Sequence, residues 1–277
     1  MTDYFSFIKS ESRSWFSPEC AFCFQQKNCI SASAFSRDKR KHLLHIRGFR
    51  EKQTEAMLKG TEMHKDMQTG VPTIDEYGID RFRSDLRSGK MIMLKEVKCH
   101  SRFFGFRGFM DLFGIRFNPH TRRMDVWIME LKTSFRKDHL FQLCAYSKIA
   151  SDPNFSIIHN GGDLRVYPRT PISLNIHLGM WISRFKKMIK WEYMENGNIV
   201  GQWRGYGMAL ARRARSLRSV HKMGVYNVAE IPACRNCYEK CGFYRSICSK
   251  IADVEDGKSK QKYFGRRKML VNKPRLK

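Results

Sequence analysis

Apolar and polar residues alternate along residues 91–132 in a pattern that predicts three consecutive β-strands. The three runs are "MIMLKEVK" (91–98), "RFFGFRGFMDLFGIRF" (102–117) and "RMDVWIMELK" (123–132). The sequence Asn-Pro-His-Thr at 118–121 separates the last two runs and has the residue types of a turn. We therefore expect these two strands to form an antiparallel hairpin.

Helix-forming residues lie on both sides of these strands. Residues 50–67 are rich in good helix formers and carry apolar side chains on a mixed face. Residues 138–150, "DHLFQLCAYSKIA", open with Asp138, a residue type that caps helix N-termini. The core order is then helix, three antiparallel strands and helix, followed by a short strand near 155–159 or 163–167. This order predicts an α/β fold.

The rest of the chain is interpreted as helix and tail, which predicts four segments. The stretches 171–194 and 205–223 look helical, whereas the polar, basic residues from Asp256 onward form a tail. The four expected segments are an N-terminal segment (1–49), a central α/β core (50–170), a helical region (171–255) and a basic flexible tail (256–277).

The charge of the chain indicates a polyanionic partner. It has 277 residues, with 52 Lys+Arg against 26 Asp+Glu and a formal net charge of +26. Nucleic acid is the default partner for such a surplus, and Arg212 and Arg213 in a basic stretch are candidate phosphate contacts. No apolar run approaches a membrane-spanning length, and the first residues lack a signal-peptide pattern. We therefore expect a cytoplasmic protein without a membrane anchor.

The nine cysteines fall mainly into two groups, one near each end of the printed sequence. Cys99 and Cys144 lie alone in apolar contexts, as expected of inert core thiols. Clustered cysteines in a chain without a secretion signal favour a metal or iron–sulfur site over disulfides. The grouped cysteines are Cys20, Cys23 and Cys29, then Cys234, Cys237, Cys241 and Cys248.

Three ionisable residues mark a candidate catalytic site at the end of the hairpin. Glu130 and Lys132 point to the same side of the third strand, because side chains alternate with period two. Asp111 on the second strand can lie beside Glu130, and two carboxylates can hold a hard cation such as Mg²⁺. Lys132 would then orient, or help to deprotonate, an attacking water. The alternative is that Glu130 and Lys132 form a surface ion pair, and the Glu-x-Lys pattern does occur a second time, at Glu96 and Lys98. However, Glu130 follows an apolar run, where an unpaired carboxylate is costly to stability.

Four short motifs, taken together, resemble the RecB-like nucleases of the PD-(D/E)XK superfamily. They are "KGTEMH" (59–64), "GFRGFMDLFGI" (105–115), "MELKT" (129–133) and "FQLCAY" (141–146), in the order found in that family. The closest branch is the CRISPR-associated iron–sulfur exonucleases. The resemblance implies a restriction-endonuclease-like core in which Asp111, Glu130 and Lys132 are catalytic.

The resemblance also implies the metal ligands and the DNA contacts. It assigns Mg²⁺ or Mn²⁺ to His64, Asp111, Glu130 and Leu131, with Gly60 beginning the histidine motif. Gln142 and Tyr146, one turn apart on the following helix, are implied to face the DNA.

In the same branch, one upstream and three downstream cysteines hold an iron–sulfur cluster that joins the two ends. Here four downstream candidates have two, three and six residues between them, which departs from the usual spacing. Cys237, Cys241 and Cys248 with Cys20 or Cys23 would hold a 4Fe–4S cluster. Cys20, Cys23, Cys234 and Cys237 would instead make a structural zinc site.

These features predict a metal-dependent DNA nuclease, with exonuclease action on single-stranded ends implied by the resemblance. One alternative is a nuclease subunit within a larger assembly with an integrase or helicase partner, since the chain lacks a Walker-type phosphate loop. The other is a non-catalytic, basic nucleic-acid-binding protein with a structural zinc or iron–sulfur site.

Overall fold

The computed structural model describes residues 29–36, 39–46, 55–101, 103–160, 162–168, 172–194, 198–199 and 204–220. Helix α1 (Lys39–Ile46) belongs to one compact unit, and all the other described elements belong to a second. The predicted basic tail and most of the predicted N-terminal segment lie outside the described residues.

A mixed sheet organises the second unit. Its strands, in the part of the chain that is described, are β1 (Ile30–Ser31), β2 (Ile92–Ser101), β3 (Phe106–Asn118), β4 (Arg123–Lys132), β5 (Ser156–His159), β6 (Gly162–Arg165), β7 (Ser173–Ile182), β8 (Lys187–Met194) and β9 (Asn198–Ile199). The order across the sheet is β6-β5-β2-β3-β4-β7-β8-β9, and β1 pairs in parallel with β3.

The three predicted strands are confirmed as β2, β3 and β4, which pair antiparallel. Their apolar positions face a continuous core: Ile92 and Leu94 on β2 pair with Ile115 and Phe113 on β3, and all four are buried. Both candidate positions for a further strand are strands, because β5 and β6 form an antiparallel hairpin.

Helices lie before and after the three central strands. They are α2 (Glu55–Met67), α3 (Ile74–Tyr77), α4 (Ile79–Arg87), α5 (Lys137–Ala150) and α6 (Arg204–Arg218), with short 3-10 helices at Ala32–Ser36 and Ser183–Phe185. The predicted order of helix, three antiparallel strands, helix and strand is present, with α3 and α4 inserted after α2. The fold is therefore mixed α/β.

The start of α5 corrects one detail of the prediction. Arg136, not Asp138, occupies the N-cap position, and Asp138 lies in the first turn of the helix. A carboxylate in the first turn still interacts favourably with the positive end of the helix dipole.

The helix predicted over 171–194 is wrong, because this stretch forms β7 and β8. Strand β7 runs parallel to β4, from Arg123↔Ser173 to Lys132↔Ile182, and β8 returns antiparallel to it. The period-two pattern is real, since the buried apolar residues Ile176, Leu178, Met180 and Ile182 alternate with the half-buried His177 and Trp181 and the buried Gly179. The alternate positions along the strand are Ser173, Asn175, His177, Gly179 and Trp181, so the alternation was present in the sequence and was overlooked.

The predicted boundary at residue 170 is corrected by the same strands. Strand β7 lies inside the sheet, so the α/β core extends through β9 instead of ending at 170. Within the predicted helical region of 171–255, the described helical part is α6 and one turn of 3-10 helix.

Helix α5 supplies much of the core beneath the sheet. Leu140, Leu143, Ala145, Tyr146 and Ile149 are all buried and belong to one apolar cluster with the central strands. Among the described residues, no helix is long and apolar enough to cross a membrane.

Candidate active site

The pairing of β3 with β4 places the two central carboxylates opposite each other. Leu112 pairs with Met129, so the register puts Asp111 across from Glu130. Lys132 lies two residues beyond Glu130, where β4 ends. The structure thus brings together the three residues that were predicted to be catalytic.

Glu130 is completely buried and held by two side chains. Its Oε2 accepts hydrogen bonds from Lys132 Nζ at 2.5 Å and from Gln142 Nε2 at 3.0 Å. Burial raises the pKa of Glu130 and the charge of Asp111 raises it further, whereas Lys132 acts in the opposite direction. The surface ion pair considered as an alternative for Glu130 and Lys132 is therefore wrong: the glutamate is in the interior.

Asp111 and His64 meet on the same side of the site. Asp111 Oδ2 accepts a hydrogen bond from the Leu131 backbone N–H at 2.7 Å, and Oδ1 lies 3.6 Å from His64 Nδ1. His64, on α2, directs Nε2 to the Leu131 carbonyl oxygen at 2.9 Å. Burial raises the pKa of Asp111 and lowers that of His64, so both neutral forms are favoured by the surroundings.

Helix α5 closes the site from the interior. Gln142 and Tyr146 are four residues apart, and Gln142 Nε2 is 3.1 Å from the Tyr146 hydroxyl. That hydroxyl donates to the Phe109 carbonyl oxygen at 2.5 Å, which ties α5 to β3 beside Asp111. Both side chains are buried, so they orient Glu130 and β3 and are not exposed as DNA contacts.

The donor set fits a divalent cation at two points. Glu130 Oε1 is buried and has no hydrogen-bond partner among the described residues. A neutral His64 that donates its Nε2 proton to the Leu131 carbonyl has a lone pair on Nδ1. This lone pair faces Asp111 Oδ1, so two hydrogen-bond acceptors face each other. A cation would give Glu130 Oε1 a partner, could be bound by His64 Nδ1 and Asp111 Oδ1 together, and would compensate the charge of the buried carboxylates.

The side chains are not arranged as a closed metal site. In the part of the chain that the structure describes, no three or more His, Cys, Asp or Glu side chains form a group that could hold an ion. Leu131, predicted as a ligand, has its carbonyl oxygen hydrogen-bonded to His64 instead.

Glu96 is a residue of this site that sequence reasoning passed over. Lys95 pairs with Leu112 and Val97 with Met110, so the register puts Glu96 across from Asp111. Its φ of 50° lies in the left-handed region, uncommon for a residue other than glycine. Its charge adds to the effect of burial in raising the pKa of Asp111. The signal in the sequence was the second Glu-x-Lys pattern, Glu96 and Lys98, two strands before Glu130 and Lys132.

Gln68 is a second residue that the motifs did not reveal. It follows α2, is 4% exposed, and donates from Nε2 to the Asp111 carbonyl oxygen at 2.7 Å. This bond fixes the end of α2, and with it His64, against β3.

No protein-family model and no curated protein sequence match this chain. Its structure is distantly similar to the crystal structure of SSO0001, with a TM-score of 0.37 and 14% identity over 81% of this chain and 87% of that one. So distant a similarity indicates nothing about the chemistry of the site.

The two arginines predicted to bind DNA have different surroundings. Arg212 on α6 is exposed. The Arg213 guanidinium donates to the Phe35 carbonyl oxygen at 2.5 Å, lies 4.8 Å from the Phe141 ring centroid, and is 3.8 Å from Asp138. Arg213 therefore anchors α6 to the core, which argues against a role in phosphate binding.

The cysteines predicted to hold an iron–sulfur cluster or zinc lie outside the described residues. They are Cys20, Cys23, Cys234, Cys237, Cys241 and Cys248. Cys29, a member of the first group, is described and is buried.

The two isolated cysteines should be inert in the native protein, as predicted. Burial raises the pKa of Cys144 to about 12 and raises that of Cys99 further. At pH 8 we expect alkylation of Cys144 by iodoacetamide to be about a thousandfold slower than in denaturant. Peptide mass spectrometry after timed quenching measures both rates, and comparable native and denatured rates would contradict this.

His139, in the first turn of α5, should make stability depend on pH. Burial lowers the pKa of His139 to about 4 from its usual 6.5, and Lys132 and Arg136 act in the same direction. Its Nδ1 is buried without a hydrogen-bond partner among the described residues. Because the unfolded chain binds the proton first, the folded state loses stability as pH falls from 6.5 toward 4.

We expect His139→Gln to remove about 2 kcal/mol of the stability loss between pH 7 and pH 5. Urea unfolding of both proteins at the two pH values measures it. An unchanged pH dependence in the variant would show that His139 is not the group responsible.

Proposed function

We propose that this protein is a metal-dependent deoxyribonuclease with a restriction-endonuclease-like core, acting on single-stranded DNA ends. The observation that carries the proposal is the buried Glu130, which is held by Lys132 and Gln142 opposite Asp111. Burial of a carboxylate pair beside a lysine at a strand end is costly to stability and is typical of functional sites.

His64, Asp111 and Glu130 would hold the cation, and Glu130 Oε1, which has no hydrogen-bond partner within the described part of the chain, is the clearest ligand position. When bound, a divalent cation stabilises charge on phosphate oxygens and lowers the pKa of water. Lys132 is half-buried beside Glu130, where its amine can donate to a phosphate oxygen and orient the attacking water.

The remaining residues keep these groups in place. Gln142 holds the Glu130 carboxylate, Tyr146 holds β3 through the Phe109 carbonyl, and Gln68 holds α2 against Asp111. Such supporting hydrogen bonds fix reacting groups to within fractions of an ångström.

The proposal also includes the cysteine site that the resemblance implies, with a 4Fe–4S cluster or zinc joining the two cysteine groups. The iron, sulfide and zinc contents of the purified chain distinguish the two. An integrase or a helicase would be the partner if such a nuclease acts within a larger assembly.

A cleavage assay on end-labelled single- and double-stranded DNA tests the proposed activity. Wild type, Glu130→Ala and Lys132→Ala are compared with Mg²⁺, Mn²⁺ or EDTA. We expect metal-dependent cleavage by the wild type that both substitutions abolish. DNA binding without cleavage by the metal-replete wild type would favour the non-catalytic binding protein. The net charge of +26 is also consistent with that alternative, because it favours binding to phosphates.

A further inference from the structure

The parallel pairing of β4 with β7 brings two loops to the edge of the sheet where Lys132 lies. Lys132 pairs with Ile182, and both strands end there. The loops that follow, 133–136 and 183–186, stay together, because the Arg184 N–H donates to the Thr133 carbonyl oxygen at 3.4 Å. Groups on these loops therefore lie within a few residues of the candidate catalytic lysine.

Each loop exposes a phenylalanine. Phe135 is 39% exposed and Phe185 is 61% exposed, and neither belongs to the apolar core. A single exposed apolar side chain needs no explanation, but two on hydrogen-bonded loops beside the candidate active site are a candidate binding surface. We call this surface the phenylalanine edge, defined by Phe135 and Phe185.

Positive charge accompanies both rings. The Arg184 guanidinium lies 5.7 Å from the Phe185 ring centroid, and Arg136 follows Phe135 directly. Arg136, Arg184, Lys186 and Lys187 are all exposed. Asp138 contributes one acid, 3.5 Å from Arg136, so the edge keeps a positive balance that is complementary to phosphate.

We propose that the phenylalanine edge is a stacking surface for the bases of single-stranded DNA next to the catalytic site. This rests on the proposed nuclease function and adds the surface that binds the unpaired strand. Stacking on exposed aromatic rings requires bases that are not already stacked in a duplex, while the neighbouring cations bind the backbone. The strand would pass from the edge over Lys132 toward Glu130.

Equilibrium binding in EDTA tests this surface without any cleavage. The affinity of the full chain for a fluorescently labelled oligothymidine is measured by anisotropy. The variants are Phe135→Ala, Phe185→Ala, Phe185→Leu and Phe185→Tyr. Met91→Ala is the matched control, because Met91 is 44% exposed and precedes β2 at the opposite end of the sheet.

We expect each alanine variant, and Phe185→Leu, to bind about tenfold more weakly, since each loses the aromatic face on which a base stacks. Phe185→Tyr and Met91→Ala should bind like the wild type. An abasic oligonucleotide should bind more weakly than oligothymidine and should not distinguish the variants. Melting temperatures should be unchanged, because both phenylalanines are exposed.

Unchanged affinity of the alanine variants, or an equal loss on the abasic strand, would overturn the stacking surface. The two proposals can fail separately. Phenylalanine-dependent binding by a chain that never cleaves DNA keeps the surface and removes the nuclease. If the wild type cleaves DNA but its binding does not depend on Phe135 or Phe185, the nuclease is kept and the stacking surface is rejected.

Discussion

Glu130→Gln is expected to abolish cleavage while leaving the fold and DNA binding intact. The amide has the shape of the carboxylate, so its oxygen can still accept from Lys132 and Gln142. It lacks the negative charge needed to hold a cation beside Asp111. We expect the cleavage rate to fall at least about a thousandfold, which corresponds to about 4 kcal/mol of activation free energy.

Stability should change by less than about 1 kcal/mol, because the lost attraction to Lys132 is offset by relief of repulsion from Asp111. Affinity for DNA in EDTA should be equal to that of the wild type or slightly higher. Glu62→Gln is the matched control, since Glu62 is an exposed residue of α2. A Glu130→Gln protein that cleaves at the wild-type rate would remove Glu130 from the mechanism.

Gly108→Ala is expected to cause the largest loss of stability. A Cβ atom at residue 108 would lie 2.2 Å from Tyr146 Cε1 and 3.3 Å from the Ala32 Cβ. Tyr146 cannot move aside, because it is buried and its hydroxyl is bonded to the Phe109 carbonyl. We expect the free energy of unfolding to fall by about 2–3 kcal/mol, as measured by urea denaturation.

The same substitution elsewhere provides the control. Gly60 lies within α2, and a Cβ there would be 3.6 Å from Thr133 Cγ2, an ordinary contact. Gly60→Ala should therefore stabilise the protein by about 0.5–1 kcal/mol through helix propensity. Equal effects at the two glycines would contradict the tight packing of Tyr146 against β3.

The sequence predicted those parts of the fold whose pattern is local. Strands β2, β3 and β4 have clear alternation with turn residues between β3 and β4, and α5 has an acidic residue near its start. Strand β7 was missed although its residues alternate, because the stretch 171–194 was interpreted as one helix instead of two strands. Its parallel pairing with β4 is non-local, so neither segment contains a sequence pattern that predicts it.

The site shows the same division. Period two was enough to place Glu130 and Lys132 together, and a hairpin was enough to bring Asp111 beside them. The burial of Gln142 and Tyr146 could not be predicted, because it depends on how α5 docks on the sheet. Glu96 was noted only as a repeat of the Glu-x-Lys pattern and was not assigned to the site, since its position across from Asp111 follows from the register of β2 on β3.

The most direct test of the central claim is the rate of cleavage of labelled single-stranded DNA as a function of Mn²⁺ concentration. Wild type and Asp111→Asn are compared under single-turnover conditions. We predict that the wild-type rate rises with Mn²⁺ and saturates, whereas Asp111→Asn needs at least about tenfold more Mn²⁺ or does not cleave. Absence of cleavage by the wild type at any Mn²⁺ concentration, or identical Mn²⁺ dependence in the two proteins, would contradict a metal-dependent nuclease site at Asp111 and Glu130.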